Sequence, residues 1–301
     1  MILTEETLWR CLHTRSQIAT TLKAHADAHG YCVKVIVYLR RQDEFQISIW
    51  KQNVKHAKTA STKTFDERLE EVLENERYLF EYAARLDELA EVFGHDNLIV
   101  RRFEPDSWVN DSLIDDFLYC VGLEHTDDFS DLPKDSNPSL SENMAYMKRI
   151  INSDPSFSKK ELSYLGHRMR DLSAESSANY PCSLLSASET RALLEQFADE
   201  NARVARDYCQ DGRPLFSDKI KDVPKWQPDN PYMQEDMIRF FSSAIIDLHR
   251  ENEALRRELT NLQHTVENEQ NLFRMFKQKF KHPFRTLINR LFSHKKEDQP
   301  L

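Results

Sequence analysis

The chain has 301 residues, of which 40% are apolar and 30% charged, and this balance excludes wholesale disorder because a sizeable core can be buried. The five glycines lie far apart, so the phosphate-binding loops GxGxxG and GxxxxGK[ST] are both excluded. No apolar stretch is long enough to span a membrane, and the first residues predict no secretory signal. Five cysteines without CxxC spacing predict reduced thiols in a cytosolic protein.

The net charge of −9 is unevenly distributed along the chain. Residues 270–296 contain eight lysines and arginines and no acidic residue. Residues 1–269 contain 33 basic and 48 acidic residues, a net charge of −15. An acidic body with a basic tail indicates that the tail meets an anionic surface while the body has another role.

Two segments have the composition of buried strands. Residues 33–39 are β-branched and apolar on nearly both faces, as in a strand of a parallel sheet, and residues 97–103 form a second predicted strand. Residues 2–4 are a third candidate. Helical patterns lie between and after these strands, so the first 215 residues predict an α/β sheet with helical cover.

The longest helical pattern of this region lies between the two main strands, at residues 64–94. It begins with the capping box Thr64-x-x-Glu67 and stops at Gly94. Further elements are predicted, in chain order, as helices near 111–121, 141–153, 158–171 and 188–208, an exposed acidic loop at 123–140 and a linker within 211–231.

From residue 233 the pattern changes to a single long helix with a heptad repeat. Asn252 occupies an a position, where a polar side chain favours two strands in fixed register, and Glu251 at g faces Arg256 at the following e position of a parallel partner. These features predict a homodimer through a coiled coil, the alternative being a long helix that folds back on its own domain. The apolar seam consists of Phe241, Ile245, Leu248, Leu255, Leu259, Leu262, Val266 and Phe273.

Two arginines, Arg40 and Arg41, follow the first main strand at its carboxyl end, which is where open α/β sheets bind their ligands. A helix is predicted to open near Asp43, so a guanidinium and free backbone N–H groups come together and could bind an anion. Ser48, about one turn into that helix, could add a hydroxyl donor. The alternative is that both arginines pair with nearby acidic residues.

This segment resembles the 3′-phosphate-binding motif of sulfotransferases that use 3′-phosphoadenosine 5′-phosphosulfate (PAPS). In that family a strand ends in Leu-Arg and a serine follows the arginine by eight positions, a spacing that Arg40 and Ser48 match. The resemblance is closest to a bacterial sulfotransferase-like group and covers about residues 1–216. Further blocks that resemble the family occur in order at 93–104, 113–123 and 201–216.

The resemblance implies a P-loop NTPase-like sulfotransferase fold with an incomplete parallel sheet and helical cover, followed by the long C-terminal helix. It implies PAPS, or its product adenosine 3′,5′-bisphosphate (PAP), as co-substrate, with Arg40 and Ser48 binding the 3′-phosphate. The activity of the family is transfer of a sulfuryl group to a hydroxyl, here of a glycan or related surface molecule.

The family's first block, a loop of the type Lys-x-Gly-[ST]-[ST] that holds the 5′-phosphosulfate, has no match in the sequence. Residues 2–6 instead resemble a later block that ends in Ser-Ser-Glu, so a truncated gene product or a relative that has lost catalysis is expected. Glu5 or Glu6 could be proposed as the catalytic base because family members carry a glutamate there. The alternative is a helix-start glutamate favoured by the helix dipole.

Three other polar residues have weaker functional signals. His25 and His29 have the spacing of metal ligands on a helix, but two histidines in a last turn are explained by the helix dipole, and no metal site is predicted. Asn201 lies on an otherwise apolar helical face and is therefore predicted to be hydrogen-bonded inside the domain.

The basic tail, residues 271–301, places aromatic and aliphatic residues at spacings of three and four, with lysines and arginines between them. Such a helix suits the headgroup region of an anionic leaflet, so we expect a cytoplasmic protein held at the inner face of the cell membrane. Pro283 should kink or restart the helix. Nucleic acid is the second candidate target, and continuation of the coiled coil with a solvated basic face is the other alternative.

The sequence thus predicts four segments: a sulfotransferase-like α/β domain at 1–216, a linker at 217–232, a coiled-coil helix at 233–270 and the basic tail at 271–301. Two hypotheses of function follow. The first is a sulfotransferase-like protein, with catalysis left open by the missing loop. The second is a non-catalytic, membrane-associated coiled-coil scaffold whose first domain still binds a nucleotide or a partner.

Overall fold

The computed structural model describes residues 2–4, 8–126, 129 and 139–293, without the side chains of 278, 280–285 and 287–293. It divides into two units, Met1–Met237 and Ile238–Leu301. The fold is mixed α/β and mostly helical, with a small parallel sheet and a long C-terminal helix.

The sheet pairs β1, Val35–Leu39, with β2, Leu98–Arg102, in parallel, so that Val35 lies beside Leu98 and Leu39 beside Arg102. Both strands lie within the segments predicted from composition, which confirms those two predictions. The third candidate is wrong: residues 2–4 are not a strand, and the side chains of Ile2 and Leu3 are exposed instead of packing on the sheet.

Helices occupy most of the remaining described residues. In chain order they are α1 Leu8–Thr14, α2 Gln17–Ala28, α3 Gln42–Lys55, α4 Phe65–Asn75, α5 Tyr82–Phe93, α6 Leu113–Cys120, α7 Glu142–Asn152, α8 Lys159–Asn179, α9 Ala187–Glu195, α10 Ala198–Val204 and α11 Met233–Ser293. No helix within the described ranges combines the length and the hydropathy needed to cross a membrane.

The capping chemistry read from the sequence explains where several helices begin. Thr64 Oγ1 accepts a hydrogen bond from the Glu67 backbone N–H at 3.2 Å, and the Glu67 carboxylate accepts one from the Thr64 N–H at 2.7 Å. Gly94, at φ +88°, ends α5 in a conformation that a side chain would oppose. The single pattern predicted over 64–94 is nevertheless two helices, because a 3₁₀ turn at Arg77–Leu79 separates α4 from α5.

The sheet packs against α5, which supplies much of the core of the first unit. Helix α5 buries one apolar face, and both strands contribute alternate side chains from the other side. The buried cluster contains Ala19, Leu39, Tyr82, Ala83, Leu86, Leu89, Phe93, Leu98, Val100, Val204, Leu215 and Phe216. The last three show that the chain returns to the sheet at residues 204–216.

The segment 217–232, predicted as a linker, is part of the first unit and packs against earlier residues of that unit. Ser183 pairs with Lys225 as an isolated parallel bridge, and the Trp226 N–H donates to the Ser183 carbonyl at 2.7 Å. The Trp226 indole N–H donates to Asn143 Oδ1 at 2.7 Å. The four-part division at 216, 232 and 270 stays a prediction.

Candidate functional site

The carboxyl ends of both strands meet at one edge of the sheet. Because β1 and β2 are parallel and in register, Arg40 and Arg41 emerge beside Phe103 and Glu104. The Phe103 N–H extends the pairing by donating to the Leu39 carbonyl at 2.7 Å. We call this the carboxyl edge, the position at which open α/β sheets bind ligands.

Arg40 stands at this edge with a side chain that is 34% exposed. Its guanidinium lies over the Phe103 ring, 5.4 Å from the centroid, and its Nε is 3.4 Å from Glu44 Oε2. The Arg40 carbonyl accepts a hydrogen bond from the Tyr82 hydroxyl at 2.7 Å, which fixes the backbone here. The backbone of Arg40 is therefore held in place, and its side chain is partly exposed to solvent and paired at long distance with the Glu44 carboxylate.

Ser48 lies eight positions after Arg40, and Glu44 lies halfway between them. Residues four apart share one face of a helix, so the three side chains follow one side of α3 and its entry. Ser48 is half-buried, and its hydroxyl makes no hydrogen bond with any described residue. The structure thus places the Arg40 guanidinium and the Ser48 hydroxyl on one face of the helix. Between them lies the Glu44 carboxylate, which would compete with an anion for Arg40.

Arg41 points the other way and is buried. Its Nε and Nη2 donate to the two carboxylate oxygens of Asp43 at 2.8 and 3.0 Å. Its Nη1 donates to the carbonyls of Ser217 and Lys219 at 3.0 and 2.7 Å. Burial alone would lower the pKa of Arg41, but the hydrogen bonds to Asp43 and the negative charges of Asp43, Glu44 and Glu104 together outweigh burial, and the pKa is raised.

Residues 211–219, which we call the strap, are held against the carboxyl edge by charged side chains of both strand ends. Arg102 donates to the Leu215 carbonyl at 2.9 Å and forms a bidentate pair with Asp211 at 2.8 and 2.9 Å. Glu104 accepts from the Ser217 N–H at 3.0 Å. The hydrogen bonds from Arg102 are the main reason why the pKa of Asp211 is well below its usual value.

An open cavity of about 1110 Å³ lies beside the strap. Its polar lining comes from several elements and includes Arg41, Arg191, Asn201, Arg213 and Ser217, with Phe216 among the apolar residues. Neither Arg40 nor Ser48 belongs to the lining, so the predicted phosphate ligands do not face this cavity.

Asn201 forms a reciprocal amide pair with Gln42, the first residue of α3. Gln42 Nε2 donates to Asn201 Oδ1 at 2.8 Å, and Asn201 Nδ2 donates to Gln42 Oε1 at 3.1 Å. The prediction that Asn201 is hydrogen-bonded inside the domain is confirmed. This pair holds α10 against the start of α3, which supports the position of Arg41.

Asp116 marks the other face of the sheet and is fully buried. It accepts hydrogen bonds from Arg101, from the Tyr38 hydroxyl at 2.7 Å and from the Val109 N–H at 3.1 Å. Burial would raise the pKa of Asp116, but these donors outweigh it and the pKa is lowered. The cluster is fully satisfied internally and ties β1 and β2 to α6.

Of the remaining predicted residues, His25 and His29 are described, and they lie at the C-terminal end of α2, away from the carboxyl edge. Glu5 and Glu6 lie outside the described residues. The rings of His25 and His29 pack 4.4 Å apart, and His29 Nδ1 lies 2.8 Å from the His25 carbonyl. Among the described residues there is no cluster of three or more His, Cys, Asp or Glu side chains suited to a metal ion.

The sequence matches no family model, and no solved structure matches it. A curated relative is an uncharacterised protein from Archaeoglobus fulgidus, 25% identical over 205 residues. The alignment covers 68% of this chain and 52% of the relative, so the match spans about half the length of the archaeal protein.

Proposed function

We propose that the first unit is a sulfotransferase-like domain of the P-loop NTPase-like class that binds the 3′-phosphate end of PAPS or PAP at the carboxyl edge. The observation that supports this proposal is the placement of Arg40, a partly exposed guanidinium at the exit of β1, on the same face as the unused hydroxyl of Ser48. The reaction implied for the family is transfer of a sulfuryl group to a hydroxyl of a glycan or surface molecule.

Arg40 and Ser48 offer a phosphate several donors within a short stretch of chain. Charge-assisted hydrogen bonds of this kind contribute about 1.5–3 kcal/mol each. The first backbone N–H groups of α3 lie at the same edge and add the positive end of a helix dipole. Glu44 opposes binding, since a phosphate must displace its carboxylate from Arg40 or share the guanidinium with it.

Transfer demands more than this phosphate contact. The acceptor oxygen forms a bond to sulfur, the bond from sulfur to the 5′-phosphate oxygen breaks, and the hydroxyl proton passes to a base. Donors at the 5′ end must stabilise the charge that develops there, and the printed sequence has no Lys-x-Gly-[ST]-[ST] loop for that role. Nucleotide binding and sulfuryl transfer are therefore tested separately.

The binding claim is tested by isothermal titration calorimetry with PAP, and with adenosine 5′-monophosphate as the ligand without a 3′-phosphate. We expect Arg40→Ala to weaken PAP binding by about tenfold to a hundredfold, which corresponds to losing one charge-assisted contact. Ser48→Ala should weaken it several-fold. Arg15→Ala, which removes an exposed arginine distant in sequence from the carboxyl edge, is the control.

In the wild-type protein PAP should bind more tightly than adenosine 5′-monophosphate, and Arg40→Ala should abolish that preference. Absence of PAP binding at millimolar concentration, or equal affinity in wild type and Arg40→Ala, would refute the proposal.

A second candidate function, a membrane-associated scaffold without catalysis, is favoured by the large apolar side chains that α11 exposes. In this case the first unit would serve as a residual nucleotide- or partner-binding domain. Retained PAP binding with no sulfate transfer from PAPS to any hydroxyl acceptor would favour the scaffold.

A further inference from the structure

Helix α11 carries a long row of exposed apolar residues beyond Met237. Nine of them recur at alternating spacings of three and four, apart from polar interruptions at Asn252 and Glu269, and we call this row the α11 stripe. Their exposed fractions run from 47% for Leu248 to 69% for Phe273, so the described residues of the same chain leave them open to solvent. The members are Ile238, Phe241, Ile245, Leu248, Leu255, Leu259, Leu262, Val266 and Phe273.

The α11 stripe lies on one uninterrupted helix. The α-helical backbone runs without a break over Met233–Ser293, and Pro283 comes only after the last member of the stripe. Ile238 extends the predicted heptad by one a position, so the apolar seam spans about five heptads from 238 to 273. A period of 3.5 residues on a continuous helix specifies a left-handed supercoil with a second helix of the same pattern.

We propose that the occupant of the α11 stripe is the same stripe of a second copy of this chain, in a parallel and in-register coiled coil. The inference goes beyond the proposed function and does not depend on the nucleotide site. A second copy of the chain carries the same heptad repeat, and the polar residues in and beside the seam favour pairing with that copy.

The charges that flank the seam favour the parallel orientation. Glu251 at g makes no ion pair with any described residue, and in a parallel pair it faces Arg256 at e of the other helix. To pair with Glu251 of the other helix, Arg256 would lose only a 3.5 Å contact with Glu253 of its own helix. An antiparallel pair sets g against g, which would bring Glu251 near Glu258 and place like charges together.

Asn252 specifies the register. Its Nδ2 donates to the Leu248 carbonyl at 3.2 Å, which leaves one N–H and the Oδ1 for a partner. In register, two Asn252 amides meet and hydrogen-bond across the seam. A shift by one heptad would bury each amide against Ile245 or Leu259 without a partner, so the in-register pair is selected.

The first test is the mass of the full chain in solution by size-exclusion chromatography with light scattering. We expect twice the 35.5 kDa of one chain. Leu255→Glu places a charge in the seam and should give a single-chain mass, whereas Arg257→Glu, an exposed charge change at an f position on the same helix, should leave the dimer intact. Circular dichroism shows whether each variant keeps its helix content.

The second test is disulfide cross-linking, in a Cys32→Ser background that removes the exposed native thiol. Leu259→Cys at an a position should form a disulfide between the two copies, and Arg257→Cys should not. An antiparallel pair sets a against d and would leave Leu259→Cys uncross-linked. The proposal is overturned by a single-chain or three-chain mass in the wild type, by a dimer that survives Leu255→Glu, or by failure of Leu259→Cys to cross-link.

Discussion

Glu44 is the residue that decides how available Arg40 is to an anion, since its carboxylate lies 3.4 Å from Arg40 Nε on the approach to Ser48. We expect Glu44→Gln to tighten PAP binding by about threefold to tenfold, because the competing charge is removed while the side-chain shape is kept. The gain should shrink at high salt, where charge interactions at the surface are screened.

Calorimetry at low salt and at roughly 0.3 M salt, where screening is strong, measures the effect of Glu44→Gln. Glu70→Gln, an exposed carboxylate on α4, is the matched control and should leave the affinity unchanged. Weaker binding of PAP by Glu44→Gln would mean that Glu44 helps the ligand, contrary to the proposed phosphate site.

Lys148 is a second residue whose surroundings predict a measurable effect. It is fully buried, its Nζ donates to Asn152 Oδ1, and burial lowers its pKa to about 8. In the unfolded chain the pKa of lysine is about 10.4, so between these values the unfolded state binds more protons than the folded state. The contribution of Lys148 to the free energy of unfolding should therefore rise with pH from about 8 to about 10.4.

Lys148→Met should abolish that rise and, at pH 7, increase the free energy of unfolding by roughly 2 kcal/mol, because a buried charge is replaced by an apolar chain of similar length. Urea unfolding of both proteins at about pH 7 and about pH 9.5 measures the difference. Identical pH dependence in the two proteins would show that Lys148 is charged and well solvated in the folded state.

Among the elements, the strap is held to the sheet in large part by the Arg102–Asp211 ion pair, although Asp211 is partly exposed. Asp211→Asn removes the negative charge beside the buried Arg102 guanidinium and replaces one of its two acceptor oxygens with an amide N–H₂ group. We expect a loss of about 2 kcal/mol in the free energy of unfolding, measured in urea at pH 7. Asp218→Asn, on the same strap and exposed, should change stability little, and an equal loss in both variants would contradict the role given to the Arg102–Asp211 pair.

The elements with local signals could be predicted from the sequence. The capping box at Thr64 and the stop at Gly94 depend on residues within a few positions of one another, so their hydrogen bonds and conformations follow from spacing alone. The apolar composition of β1 and β2 likewise identifies each of them as a strand, although the hydrogen bonds that pair them join distant segments of the chain. The break between α4 and α5 could not be predicted in this way, because the apolar period continues through the 3₁₀ turn.

The carboxyl edge could be predicted only in part, because its partners come from distant parts of the chain. The sequence places both arginines at the end of a strand, but Arg41 is turned inward by carbonyls 176 and 178 positions away. Arg102 likewise pairs with Asp211, which lies 109 positions further along the chain. No short-range pattern reveals such pairs, so the strap and the cavity could not be predicted.

At the scale of the whole molecule, the proposed parallel coiled coil and the basic tail act together. A parallel pair brings two tails, each with eight basic residues in 270–296, to the same end of the coil. Each lysine or arginine near an anionic membrane contributes about 1 kcal/mol, and two linked tails bind more strongly than one.

We expect the full chain to co-sediment with vesicles that contain phosphatidylserine and not with neutral phosphatidylcholine vesicles, and to dissociate as salt is raised. Reversing Arg274, Lys277 and Lys279 to glutamate should abolish sedimentation. Reversing Lys58, Lys159 and Lys160 changes the net charge equally on the first unit and should have no effect. Equal losses in both triple variants would contradict a specific role of the tail.

The strap has one further consequence. Residues 211–219 clamp the ends of β1 and β2 and also form one wall of the 1110 Å³ cavity. Ligand binding in the cavity and the stability of the fold are therefore coupled, because a ligand that contacts residues 211–219 also stabilises their contacts with the two strands. A rise in melting temperature can then report binding in a screen of small molecules. The rise should be smaller in Asp211→Asn, in which the strap is held less firmly.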